Sequence, residues 1–203
     1  LKIGIDINNV VRDTLKRIEQ IYEKWYIENP FFSEELDDFE YKIISPVTTL
    51  DLKSHLAFKN DEHLYDFLYT EHTMEIFGHA GSVEYSTFHD LNDFYLEMRD
   101  NHEIILVSDE MGKSKPATLF FISKFGCLVE NISFYSEQTK NLLWNKVDVL
   151  LTANPDLLLN KPQTKTLIKF VTSYNNEVSC EYTIENIKQL KNKIEEIYAK
   201  SIG

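Results

Sequence analysis

Lys2-Ile3-Gly4-Ile5-Asp6-Ile7-Asn8-Asn9-Val10-Val11-Arg12-Asp13 decides how this chain is read. An apolar run ends in a carboxylate, Asp6. A tight Asn8-Asn9 loop follows, and then residues at helical spacing. In α/β folds the carboxyl ends of parallel strands form the ligand crevice, so Asp6 stands where such folds place reactive groups. Two residues on comes Asn8, an amide that cannot donate and recover a proton at neutral pH. Taken alone, Asp6 reads equally well as a cap for the orphan N–H groups of the following helix.

Outward from this stretch, Ile104-Ile105-Leu106-Val107 is a second apolar strand, ending at Ser108-Asp109. Val147-Asp148-Val149-Leu150-Leu151 is a third, ending at Thr152-Ala153-Asn154-Pro155, and Leu167 to Val171 is a fourth. Ile132 to Tyr135 forms a short strand. Helical spacing predicts helices over about 10–29, 82–100 and 115–125. The first carries Val10, Leu15, Ile18, Ile21 and Trp25 inward and stops at Asn29-Pro30, since the residue before proline leaves the helical region. Ile184, Ile187, Leu190, Ile194 and Ile197 make one stripe of a tail helix over 184–199, too few heptads for a coiled coil. Residues 31–79 are acidic, aromatic and mostly helical in pattern. Leu64, Phe67, Leu68, Met74 and Phe77 are their core candidates, and Gly78-His79-Ala80-Gly81 marks a boundary. Short apolar strands alternating with helices give an α/β fold, a three-layer Rossmann-like parallel sheet.

Composition narrows the function classes. With 203 residues, 43% hydrophobic and 13% aromatic, the chain can bury a substantial core. A net charge of -12 argues against broad nucleic-acid or anionic-membrane binding, which needs clustered Lys and Arg. No apolar run approaches the roughly 18 residues of a spanning helix, and the first residues lack the pattern of a signal peptide. Cys127 and Cys180 are far apart, which disfavours a disulfide framework and makes a reducing, cytoplasmic setting the expectation. An intracellularly assembled particle fits equally. His55, His63, His72, His79, His89 and His102 show no zinc spacing. The Glu34-Glu35-Leu36-Asp37-Asp38 run lacks the alternation and central glycine of a calcium loop. Phe31, Phe32, Phe39, Tyr41, Tyr65, Phe67 and Tyr69 read as core, and as a partner interface if exposed together.

The strand-end residues, taken in order, resemble the haloacid dehalogenase superfamily, most closely its deoxyribonucleotidase-like branch. Asp6-Ile7-Asn8-Asn9-Val10 stands where the family has Asp-x-Asp-Gly-Val, and Leu106-Val107-Ser108 where it has a strand ending in Ser or Thr. Lys140 matches its phosphate-binding lysine, with Lys146 the weaker candidate. Asp148 to Pro155 lies over its Asp-x-Leu-Ile-Asp-Asp-x-Pro segment, and Tyr174-Asn175 follows the last core strand. The resemblance implies an α/β core over 1–16 and 80–203 and a helical cap insertion over 17–79. It also implies Asp6 as a nucleophile forming an aspartyl-phosphate, an acid/base at position 8, Ser108 and Lys140 on phosphate, and Mg²⁺ held by Asp6 and a late acidic pair.

The chain departs from that pattern where departure costs most. Asn8 replaces the acid/base, Thr152 and Ala153 replace both late acids, and Asn9 replaces the glycine, although Asn tolerates left-handed geometry. Magnesium depends on carboxylate oxygens, so Asp6 is its ligand only if Asp109, Glu110 or Asp156 makes up the loss. The expectation is therefore a catalytically inactive protein of this fold, without cofactor, in a binding, regulatory or assembly role. Its partner would be a protein, a larger assembly or a small phosphorylated ligand. Two alternatives stand beside it: a divergent Mg²⁺-dependent 5′-nucleotidase or phosphatase using Asp6, and a non-hydrolysing nucleotide or phosphate sensor.

Overall fold

A computed structural model describes residues 1–29 and 39–202. Pro30 as helix stop, Phe31, Phe32 and the acidic run Glu34 to Asp38 lie outside the described residues. The chain divides into two compact units, one of Leu1–Arg12, Ser82–Glu110 and Ile122–Gly203, the other of Asp13–Gly81 and Met111–Phe121.

The first unit is built on six parallel strands: β1 (Lys2–Asp6), β2 (Glu103–Asp109), β3 (Asn131–Tyr135), β4 (Val149–Thr152), β5 (Thr166–Phe170) and β6 (Tyr182–Ile184). Their spatial order is β3-β2-β1-β4-β5-β6, the doubly wound order in which the direction of winding reverses between the first and fourth strands. At that reversal Asp6 pairs in register with Val107 of β2, and Ile5 with Leu151 of β4. The central strands carry unbroken apolar runs, Ile104–Val107 in β2 and Val149–Leu151 in β4, because helices cover both faces of such a sheet. Gly4 answers a close approach: a Cβ there would lie 2.7 Å from Val147 Cγ1.

Chain order gives the helices as α1 (Thr14–Tyr22), α2 (Asp61–Asp66), α3 (Thr87–Met98), α4 (Ser114–Lys124), α5 (Lys140–Lys146), α6 (Pro155–Leu159) and α7 (Leu190–Ile202). One face of the sheet offers Ile105, Val107, Leu150 and Leu167, which pack with Leu143 and Trp144 of α5 and Leu157 and Leu158 of α6. α3 buries Phe88, Leu91, Phe94, Tyr95 and Met98 and packs beside α7.

In the second unit α1 buries Leu15, Ile18, Ile21 and Tyr22. Around them Tyr22, Tyr26, Phe58 and Phe67 form an aromatic cluster of tilted and edge-to-face pairs. His55 is clamped between Ser45 Oγ at 2.7 Å and Thr49 Oγ1 at 2.8 Å. Among the described residues no helix is long and apolar enough to cross a membrane.

Several expectations shift. The helix expected over 10–29 begins only at Thr14 and ends as a π-type turn, Glu23–Ile27. A π turn takes one extra residue, so Tyr26 rather than Trp25 points inward. Residues 61–78 are α2 followed by two further π-type turns, and Met74, expected in the core, is 45% exposed. Phe67 is buried, whereas Tyr65 is 46% exposed. Ile184, expected on the tail helix, belongs to β6. Three-residue β6 is too short to show a strand period, and its apolar residue fell by coincidence on the helical stripe.

Candidate functional site

The candidate site lies where the winding of the sheet reverses, and the loop after β1 sets its shape. Val11 and Arg12 both return their N–H groups to the Ile7 carbonyl, at 3.1 and 2.9 Å, and Asn9 donates to the Arg12 carbonyl at 2.8 Å. This closure needs one residue in the left-handed region. Asn9 supplies it with φ of 60°, at a position where Asn is among the few tolerated side chains. The loop thus brings Arg12 back beside Asn8.

Four side chains then close a ring. Arg12 Nη2 donates to Asn8 Oδ1 at 2.6 Å and to Glu110 Oε1 at 2.7 Å. Ser108 Oγ donates to the same Glu110 Oε1 at 2.9 Å and accepts from Asn8 Nδ2 at 3.1 Å. Arg12 and Ser108 are fully buried and Glu110 is 2% exposed. The Arg12–Glu110 pair therefore lies in low dielectric, where a charge is tolerated only when paired.

Asp6 lies beside this ring at the end of β1. Its Oδ2 accepts from Thr152 Oγ1 at 2.8 Å and its Oδ1 from the Asn8 N–H at 3.3 Å. The Thr152 hydroxyl in turn accepts from the Asn154 N–H at 3.0 Å, which fixes its proton toward Asp6. Burial pushes the Asp6 carboxyl up to about 7, against the lowering effect of the two hydrogen bonds. The nearby Asp109 charge raises it further and Arg12 opposes. Asp109 itself is pushed up to about 6 by burial and then by Glu110 and Glu137, with Lys140 opposing. Asp6 is no helix cap: α1 starts from Asp13, and the Asp6 oxygens bind Thr152 and Asn8.

The other candidates sort as follows. Lys140 stands at the start of α5 and spends its ammonium on Glu137 and Asp156. Lys146 donates to Ser133 Oγ at 2.9 Å. Ala153 is fully buried, and its carbonyl accepts from Asn175 Nδ2 at 3.0 Å. Asn175 also donates to Phe170 O at 2.8 Å and accepts from Thr172 N at 2.9 Å, so it clasps the loop after β5 to the end of β4.

The donors present do not fit Mg²⁺. At the two late acidic positions stand a hydroxyl directed at Asp6 and a methyl group. Of the three acids that could compensate, Glu110 is held by Arg12 and Ser108, and Asp156 by Lys140 and Asn160. Asp109, exposed at the end of β2 and near enough to raise the Asp6 carboxyl, leaves only two carboxylates together. Among the described residues no group of three or more His, Cys, Asp and Glu could hold a metal ion.

Sequence reading named Asn8, Ser108 and Glu110 but missed Arg12 as their organiser. The signal was available: Arg12 and Glu110 carry opposite charges just beyond the ends of adjacent parallel strands.

No protein-family model and no curated relative matches the sequence. Solved structures do. A haloacid dehalogenase-like family hydrolase from Xanthomonas campestris superposes with a TM-score of 0.52 at 10% identity, over 98% of this chain and 96% of its own. A haloacid dehalogenase-like hydrolase from Burkholderia xenovorans gives 0.51 at 13% identity, over 96% of each chain. A dehalogenase solved with an intermediate complex gives 0.53 at 9% identity, over 95% of this chain and 96% of its own. At such identities the likeness is one of fold: this chain has the α/β architecture of the haloacid dehalogenase-like hydrolases along nearly its whole length.

Proposed function

We propose that the chain is a haloacid dehalogenase-like protein, nearest in its motifs to the deoxyribonucleotidase-like branch, that has given up phosphoryl chemistry. It serves instead in binding, regulation or assembly inside the cell or in an intracellularly assembled particle. The observation that carries this reading is the closed ring of Arg12, Asn8, Ser108 and Glu110 beside the Thr152–Asp6 hydrogen bond. Every polar group that would meet a phosphate is engaged with another side chain. A Glu110 carboxylate beside Ser108 repels a phosphate dianion at short range. Asn8 cannot protonate a leaving group, which by itself forfeits about 10²–10⁴-fold in rate. Asp6 as nucleophile would have to ionise against burial, and the nearby cation, Arg12, is already paired with Glu110.

One observation favours a second reading. A buried carboxyl shifted to about 7 is the kind of perturbation that gathers at working active sites. On that reading Asp6 still attacks phosphorus, and a metal recruited by other oxygens completes the site. Phosphate release from nucleoside monophosphates and a generic phosphomonoester, in Mg²⁺ and in EDTA, separates the two. Metal-dependent turnover that disappears in Asp6→Asn supports the second reading, and equal traces from both proteins support the first.

A further inference from the structure

We propose that the crevice is an oxyanion-binding site already filled from within, and that Glu110 is its occupant. The donors at this point are those of an anion receptor. A guanidinium and a hydroxyl converge on one oxygen, Glu110 Oε1, from 2.7 and 2.9 Å. Asn8 braces both: its carbonyl oxygen takes Arg12 Nη2 at 2.6 Å and its amide supplies Ser108 at 3.1 Å, which turns the serine hydroxyl toward the carboxylate.

Each donor belongs to a separately built element. Arg12 comes from the loop closed on Ile7, and Ser108 from the carboxyl end of β2. Glu110 is the first residue past β2, anchored by its N–H to the Tyr135 carbonyl at 3.0 Å. The receptor side chains are thus placed by backbone that does not depend on the Glu110 side chain. Removing that side chain leaves the Arg12 guanidinium and the Ser108 hydroxyl around a space sized for a carboxylate, with Asp6 as the neighbouring acid. Guanidinium donors bind carboxylates and phosphates through the same geometry, so the ligand class is a small oxyanion. In the wild-type protein Glu110 outcompetes free anions because it is covalently tethered at high effective concentration.

The inference builds on the non-catalytic reading of this crevice and explains it further: the site is not eroded but self-liganded. Its test is the titration of formate and of inorganic phosphate into three proteins at constant ionic strength. These are the wild type, Glu110→Ala, and Glu110→Ala/Arg12→Met, each followed by calorimetry and thermal melting. Glu110→Ala is expected to bind at least one of the two anions saturably and at least ten-fold more tightly than the wild type. Binding by formate alone identifies a carboxylate-sized cavity, and binding by phosphate a larger one. The double variant, lacking the guanidinium, is expected to show only the shallow unsaturable response that such salts give any protein.

A folded Glu110→Ala protein that responds like the wild type to both anions overturns the proposal. Should Glu110→Ala fail to fold in chloride, recovery of the folded protein by formate or phosphate supports the proposal, and no recovery with either overturns it. Turnover by the wild type would sink the non-catalytic reading alone, because anion binding is read in the variant.

Discussion

Thr152 Oγ1 donates a 2.8 Å hydrogen bond to Asp6 Oδ2, so a neutral hydroxyl satisfies a buried carboxylate oxygen of the site. Asp6 is 3% exposed, and a hydroxyl offsets its charge far less than a cation would. The consequence is a carboxyl that holds its proton to about pH 7, and this can be read in stability.

The sign follows from linkage. The Asp6 carboxyl rises from 3.8 to about 7 on folding, so between those values the folded state binds more protons than the unfolded one. Stability contributed by Asp6 therefore falls as pH rises through that window, and Asp109, raised to about 6, acts in the same direction. Asp6→Asn keeps the shape and removes the charge. It is expected to be more stable than the wild type at pH 8, by on the order of a few kcal/mol, and about equal to it at pH 4. Urea unfolding at both pH values checks this, and a variant less stable than wild type at pH 8 would contradict it.

Arg12 and Glu110 form a fully buried ion pair, 2.7 Å apart. Losing one partner strands the other charge, at a cost of about 3–5 kcal/mol. Arg12→Met and Glu110→Met are each expected to destabilise by that order. The double variant, with no stranded charge, should lose clearly less than their sum. Additive losses in a double-mutant cycle would mean that the pair is not coupled.

Asn175 is fully buried and makes three backbone hydrogen bonds that hold the loop after β5 to the Ala153 carbonyl. Each buried backbone group left unpaired costs about 1–3 kcal/mol. Asn175→Ala is expected to lose about 3 kcal/mol or more, with faster amide exchange at Thr172, whose N–H the Asn175 side chain accepts. Unchanged exchange at Thr172 would show that the loop is held by other contacts.

The sheet was legible because a strand buried on both faces must be apolar from end to end, as Ile104 to Val107 and Val149 to Leu151 are. Asn9 was legible as a left-handed residue for a related reason, since few side chains tolerate that backbone. The second unit was less so. Its π-type turns shift the inward face by one residue each, and helical periodicity does not anticipate that shift. The site was legible by position and not by partnership. Asp6, Asn8 and Ser108 announce themselves at strand ends, but the pairing of Arg12 with Glu110 depends on the register of two strands a hundred residues apart in sequence. Lys140 shows the converse: its place in chain order suggested phosphate, while the neighbouring Glu137 and Asp156 claim its charge.

Whether this chain performs phosphoryl chemistry is decided by phosphate release from a panel of nucleoside monophosphates and a generic phosphomonoester. The wild type and Asp6→Asn would run side by side, in Mg²⁺ and in EDTA. Equal background traces from both proteins and no effect of the metal are expected on the proposed reading, a protein without phosphatase activity. Metal-dependent release by the wild type, abolished in Asp6→Asn, would contradict it and return Asp6 to the role of nucleophile.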